Sequence, residues 1–281
     1  MQYFGHHQSE ISGEMIIFAY LWKYLIFIVM RRILTFVFAA VAAMALAIDS
    51  SAQISVGVGY GMASHNAKYR YDKTWEKADP TNMSGFWIAG TYDFNFMSAS
   101  WGDLAVQPGL TYSFYGKVLD KEKDKENGGI STAKSSRRDH YLDIPVNVKY
   151  SYDLLPGTLK LHAYAGPVFS FGLAAYAIND VNISSDGYKF SQYSKLNLYN
   201  GNLTSRTDNN GEKSNGKEKG DGTDYSMFDL KLGLGIGATV LDMFDVKIGY
   251  DIGLLNRYTG EVKKDQKTHT NVFYLGVAYN F

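Results

Sequence analysis

The stretch Thr270–Phe281, TNVFYLGVAYNF, governs the reading of the whole chain. Phe273, Leu275, Val277, Tyr279 and Phe281 fall on alternate positions, with Val272, Tyr274, Gly276, Ala278 and Asn280 between them. Side chains on a strand point alternately to opposite faces. The stretch therefore predicts a strand with one apolar face and one smaller, more polar face.

Seven more segments carry the same period of two: Ile54–Met62, Ser84–Phe96, Asp103–Tyr115, Asp139–Tyr152, Leu159–Leu173, Tyr225–Val240 and Asp245–Leu255. Each is long enough for a tilted membrane crossing, which takes about 9–11 residues. Their mixed faces carry charge near mid-strand. Asp93, Asp143, Lys149, Lys160, His162, Asp229, Lys231, Lys247 and Asp251 form the expected inward polar set. A soluble sandwich needs such faces in water, whereas a small closed barrel turns them into a lumen where opposite charges pair. His162 is expected level with Lys149 on the neighbouring strand.

The connections alternate as regularly as the residues. Brief turns are expected at Met97–Gly102, Asp153–Thr158 and Leu241–Phe244, and long polar loops at Ala63–Met83, Lys117–Arg138, Ala174–Asp224 and Asn256–His269. Tight turns on one side, long loops on the other and an even strand count are the pattern of an up-and-down membrane barrel with both termini periplasmic. Lipid offers no partner to an unpaired edge strand, so the sheet must close. The expected fold is all-β, an eight-stranded antiparallel transmembrane barrel with long extracellular loops. Phe94, Phe96, Trp101, Tyr150, Tyr152, Phe244 and Phe281 are expected in a periplasmic aromatic girdle. Trp87, Phe114, Tyr115, Tyr141, Phe171, Phe228 and Phe273 are expected in an outer one.

Composition agrees with this frame. Of 281 residues 15% are aromatic, and 28 basic residues balance 28 acidic ones. That balance points to no nucleic-acid partner. The absence of Cys removes thiol catalysis, disulfides and cysteine metal sites. The segment Met30–Gln53, MRRILTFVFAAVAAMALAIDSSAQ, has a basic start, an apolar run and small residues before a boundary. It reads as a secretory signal helix cleaved between Ala52 and Gln53, leaving 53–281 as the barrel domain. Residues 1–29 read as an extension upstream of the natural start at Met30; a two-part signal anchor is the alternative.

A terminal strand ending on an aromatic, here Tyr279 and Phe281, resembles the end that the barrel assembly machinery reads in bacterial outer-membrane barrels. The segments YLDIPVNVKYSY (Tyr141–Tyr152), YAGPVFSFGL (Tyr164–Leu173) and IGYDIGLLN (Ile248–Asn256) resemble the Bacteroidetes outer-membrane β-barrel families, the PorT-like group. The resemblance spans Gln53 to Phe281 and implies an outer-membrane location with lipid as the surrounding partner. A founding member tied to protein secretion makes a secretion accessory one implied role, although no motif here carries it.

Tests for chemistry give little. His65 and His269 are expected in loops, and no pair of histidines has metal-ligand spacing on one face. Asp139 and His140 beside Tyr141 form the one suggestive cluster, at a place where a salt-bridged strand end would also put them. No nucleophile–base–orienter set can be assembled. Gly233, Gly235 and Gly237 continue a strand with no helix after it, so they give packing room in a narrow barrel. No enzyme, metal or cofactor is expected. An eight-stranded interior is just wide enough to be filled by side chains, so the lumen is expected to be plugged.

Binding then falls to the loops. Thr204–Asp224 is nearly all Gly, Asn and charge and is expected to be mobile. Tyr188, Phe190, Tyr193, Leu198 and Tyr199 are apolar enough to extend a hairpin above the membrane and to contact an extracellular protein or glycan. The expected role is non-enzymatic, in envelope structure, adhesion or recognition. A small porin-like channel and a secretion accessory are the alternatives.

Overall fold

The computed structural model describes residues 53–126, 129–185, 187–220 and 224–281. The expected signal segment, with Ala52, and the leader before it lie outside the described residues. Twelve strands are present: β1 (Gln53–Tyr71), β2 (Thr74–Lys77), β3 (Thr81–Ala99), β4 (Gly102–Glu126), β5 (Gly129–Leu155), β6 (Leu159–Ser185), β7 (Tyr188–Asn197), β8 (Leu203–Asn209), β9 (Glu212–Glu218), β10 (Phe228–Val240), β11 (Phe244–Gly253) and β12 (Gln266–Asn280).

Eight of them form a closed antiparallel ring in the order β1, β3, β4, β5, β6, β10, β11, β12. Closure occurs twice in long-range pairings. β12 returns to β1 with Val58 opposite Val277, and β10 docks on β6 with Leu234 opposite Ala165. The three short turns lie where the sequence places them, after Ala99, Leu155 and Val240.

The packing is inside out, as lipid requires. Ile54, Val56 and Val58 of β1 are exposed on the outer wall, as are Leu234, Ile236, Val246 and Val277 farther round. Buried positions on the ring strands are largely polar, among them Asp93, Asn147, Lys149, Asp229 and Lys231. The outward apolar band ends near Met62, Phe86, Phe114, Phe171, Phe228 and Phe273, which the register brings to neighbouring levels. Phe86–Phe114 and Phe171–Phe228 ring pairs lie in that upper belt, with centroids 5.5 and 5.3 Å apart. At the lower belt Trp101 stacks on Tyr150, and Tyr279 meets Phe244 and Phe281 edge-on.

Three residues expected in the outer girdle belong to the interior instead. Trp87, Tyr115 and Tyr141 are 4%, 2% and 0% exposed. Each sits one residue from an outward aromatic or leucine, so the period of two itself sends it inward. Trp87 lies across Gly59 and Gly276, and its Nε1 donates to the Tyr60 carbonyl at 3.3 Å. A Cβ on Gly276 would collide with that indole and with the Val58 carbonyl, so glycine is required there.

The expected long loops are largely sheet. β1 runs on to Tyr71 and turns into β2. β4 and β5 continue to Glu126 and Gly129. Near the outer belt β6 changes partner: Phe171 faces Phe228 of β10, but Tyr176 faces Asn197 of β7. From there β7, β8 and β9 extend the sheet away from the ring as a blade. Thr204–Asn209 and Glu212–Glu218 are thus paired strands rather than a structureless tip. Their alternation is hidden from sequence because both faces are polar.

Candidate functional site

The lumen is built from the inward parity of the eight ring strands. At its lower end Ser55 Oγ donates to Asn280 Oδ1 at 2.5 Å. Above it His162 Nε2 lies 2.6 Å from Asp245 Oδ1, which also accepts from Thr239 Oγ1 at 3.1 Å. His162 stands opposite Ser151, and Lys149 opposite Tyr164, so the two are one pair out of level.

The next layer is the ion pair of Lys149 Nζ and Asp93 Oδ2, 2.7 Å apart, with Gln107 Nε2 donating to the other Asp93 oxygen at 2.6 Å. Lys247 does not pair with a carboxylate among the described residues; its ammonium lies 5.1 Å from the Trp87 ring centroid. Beside it a cavity of about 60 Å³ is lined by Asn147, Lys247, Asp251, Tyr164 and Tyr274. That volume holds a few water molecules. Higher still, Lys231 Nζ lies 3.4 Å from Asp143 Oδ1 and 5.3 Å from the Tyr141 ring. Asp229, fully buried, accepts the Leu255 amide at 3.4 Å. Lys160 is the exception in the inward set. It lies at the lower rim, partly exposed, 3.4 Å from Asp153 and 3.8 Å from Asp103.

The outer mouth holds the densest chemistry, and the sequence did not reveal it. Arg257 follows β11, outside any strand, yet is 0% exposed. Its guanidinium donates to the Ser226 carbonyl at 2.8 and 3.3 Å, to Tyr141 Oη at 3.0 Å, to Tyr199 Oη at 2.9 Å and to Thr270 Oγ1 at 3.4 Å. Three tyrosine rings enclose it, with Tyr225 at 4.5 Å, Tyr141 at 5.3 Å and Tyr199 at 5.9 Å from the guanidinium carbon. Those ring faces supply the negative potential that a buried cation needs. Tyr199 is therefore a component of this stopper and not a free loop contact. Burial pushes its phenol up. Of the other expected loop contacts, Tyr188, Phe190 and Tyr193 are on β7 and Leu198 follows it, with Tyr188 the most exposed.

A second buried group adjoins the stopper. Arg137 grips Asp139 with two bonds of 3.0 Å, and Tyr141 Oη donates to the same carboxylate at 3.0 Å. His65, expected in a loop, is a buried residue of β1. Its Nε2 lies 3.0 Å from Asp139 Oδ2, close but poorly aligned for a straight hydrogen bond. Its Nδ1 lies 3.0 Å from Thr270 Oγ1 and 3.3 Å from Tyr225 Oη. Desolvation and the Arg137 charge lower its pKa to about 4, so the imidazole is neutral at neutral pH. His65 and Arg137 hold the Asp139 carboxyl well below the usual carboxylate range against the opposing effect of burial. His140, one residue away, points outward instead and contacts Tyr112 Oη at 2.7 Å.

Thr270, His65 and Asp139 thus form a hydroxyl–imidazole–carboxylate array that sequence spacing could not assemble, because strand register brings the three together. Thr270 is fully buried and its oxygen faces the Arg257 cation. A nucleophile must reach its substrate, and this hydroxyl is sealed in. Among the described residues there is no cluster of three or more His, Cys, Asp or Glu that could hold a metal ion.

A model of the outer membrane protein beta-barrel domain matches residues 46–258. The chain belongs to this family. Its place is the outer membrane. Among solved structures, the chain is similar to the attachment invasion locus protein Ail of Yersinia pestis in complex with the heparin analogue sucrose octasulfate. The identity there is 15%, covering 82% of this chain and 99% of that one at a TM-score of 0.34. It is similar to the outer-membrane enzyme PagL at 10% identity, covering 78% and 98% at a TM-score of 0.36. It is also similar to Neisserial surface protein A at 12% identity, covering 80% and 97% at a TM-score of 0.31. No curated protein matches the chain.

Proposed function

We propose that this outer-membrane barrel is a non-conducting, non-enzymatic recognition protein that works through the sheet it raises above the membrane. The observation that carries the reading is the stopper at Arg257, beneath which the lumen narrows to a cavity of about 60 Å³. A pathway for solutes would have to break five guanidinium hydrogen bonds and two buried ion pairs. The buried Thr270 hydroxyl supports the non-enzymatic half of the proposal.

The blade supports recognition. Ordered strands lose less entropy on binding than flexible loops do. Tyr188, Phe190 and Tyr193 on β7 remain the candidate contacts for an extracellular protein or glycan. In this reading the three short turns and both ends of the 53–281 domain face the periplasm, and Tyr279 and Phe281 are offered to the assembly machinery. The Tyr141–Tyr152 and Ile248–Asn256 segments support descent from the PorT-like group of Bacteroidetes. Planar-bilayer recording of the refolded protein tests the proposal: a silent bilayer is expected, and stable nanosiemens openings would overturn it.

A further inference from the structure

Above the outer belt, β4 to β9 form one antiparallel sheet, and directly opposed residues share a face. Its register sorts the charges. One row reads Lys121, Lys134, Asp180, Tyr193, Arg206, Asn215. The row beyond it reads Lys123, Thr132, Asn182, Ser191, Asp208, Lys213, and the row nearer the membrane reads Val118, Ser136, Ile178, Lys195, Thr204, Lys217. Arg138 and Lys189 lie on this same face at its lower and upper ends. Among the described side chains nine cations therefore share it with two carboxylates, in a chain whose charges balance overall. The reverse face carries Asp120, Glu122, Asp124, Glu212 and Glu218 against Lys117 and Arg137.

The basic face is the outward one. His140 lies on the lipid-side wall against Phe114 and Tyr176, and Lys195 Nζ sits 3.6 Å over the Tyr176 ring. Residues of the opposite parity, Arg137 and Asp139, point into the mouth. None of the nine cations forms an ion pair with a described residue. The two carboxylates are occupied locally, Asp180 by Asn182 Nδ2 at 2.8 Å and Asp208 by the Gly211 amide at 2.9 Å. Two residues advance a strand by about 6.6 Å, or about 5 Å of height at the tilt of a membrane barrel. Arg138, Lys195 and Lys134 thus stand roughly 5, 10 and 15 Å above the ring of His140.

That is the depth of the headgroups of the surrounding leaflet. We infer that the outward face of the blade docks on the phosphate groups of the phosphorylated glycolipid that forms the outer leaflet around the barrel. Multiple lysines and arginines without carboxylate partners match closely spaced phosphates. The face continues the lipid-facing wall along β4, β5 and β6, across bulges beside His140 and Val118, so no soluble partner is needed to cover it. The inference rests on the membrane reading but not on the closed lumen.

The test places the mature protein in phosphatidylcholine nanodiscs containing either phosphorylated lipopolysaccharide or the same glycolipid with its phosphates removed. Glycolipid retained through purification is counted by native mass spectrometry. Native protein is expected to retain the phosphorylated form at least tenfold better. K134E/K195E/R206E should abolish that preference, while K77E/K263E/K264E, an equal charge change elsewhere, should keep it. Heat-modifiable mobility in each disc confirms a folded barrel, and K134Q/K195Q/R206Q replaces the Glu variant if it does not fold. Equal retention by the face variant, or no dependence on phosphate, would overturn the inference. Capture of soluble heparin by the native face with unchanged glycolipid retention in the variant would overturn it too, and assign the face to a soluble polyanion. A chain that fails to enter the discs at all would instead contradict the membrane reading.

Discussion

Replacing Arg257 by Met removes the cation and keeps much of the side-chain volume. The guanidinium makes five hydrogen bonds, two to the Ser226 carbonyl and one each to Tyr141, Tyr199 and Thr270. Tyr141 Oη still donates to Asp139, and Thr270 still contacts His65. The partly buried Ser226 carbonyl and the buried Tyr199 Oη lose their charged donor. Each acceptor left unsatisfied costs about 1–3 kcal/mol. Removing one member of a buried charged network costs about 3–5 kcal/mol as a whole. The expected loss is therefore about 3–5 kcal/mol, read by tryptophan fluorescence in urea with the protein in lipid. R257K restores the charge but not the planar fork and should recover only part of the loss. A change below about 1 kcal/mol in R257M, or identical behaviour of the Lys and Met variants, would refute the stopper argument.

Two further outcomes follow from the same network. His65 titrates near 6.5 when unfolded and near 4 when folded, so the unfolded chain binds the extra proton between those values. Stability is fully present above pH 6.5 and falls by about 3 kcal/mol as pH drops to 4; His65→Gln should flatten denaturation midpoints across that window, and an unchanged slope would contradict the buried neutral imidazole. In the lumen, Lys149→Met leaves Asp93 with Gln107 alone and should cost about 3–5 kcal/mol, most of it recovered in Lys149→Met/Asp93→Asn; additive losses would mean the pair is not coupled.

The ring strands were legible because each separates lipid from a polar interior, which forces a strict period of two. Asp93, Lys149, Lys231 and Asp143 could be named as inward from parity alone. Partners could not, because pairing depends on register: Lys160 fell to the rim, and Lys247 met Trp87 rather than a carboxylate. The same parity, applied to Trp87, Tyr115 and Tyr141, points inward, and grouping them by chemistry as girdle residues concealed it. β8 and β9 left no apolar stripe to read, since Ser, Thr, Asn and Lys fall on both of their faces. The charge sorting of the blade emerges only once the strands are laid side by side. Arg257 had no sequence signal, lying in a connection with neither period nor motif.

Closure of the ring between β6 and β10 is the feature on which lipid exposure, lumen and mouth all depend. Ala165 and Leu234 face each other across that seam, at the Cα spacing of an antiparallel pair, which a disulfide can bridge. Oxidation of Ala165→Cys/Leu234→Cys in bilayer-embedded protein should give a cross-linked monomer as readily as a control pair across β5 and β6, Val148→Cys/Ala165→Cys. A control pair that closes while the Ala165–Leu234 pair does not would show an open sheet, and contradict the barrel.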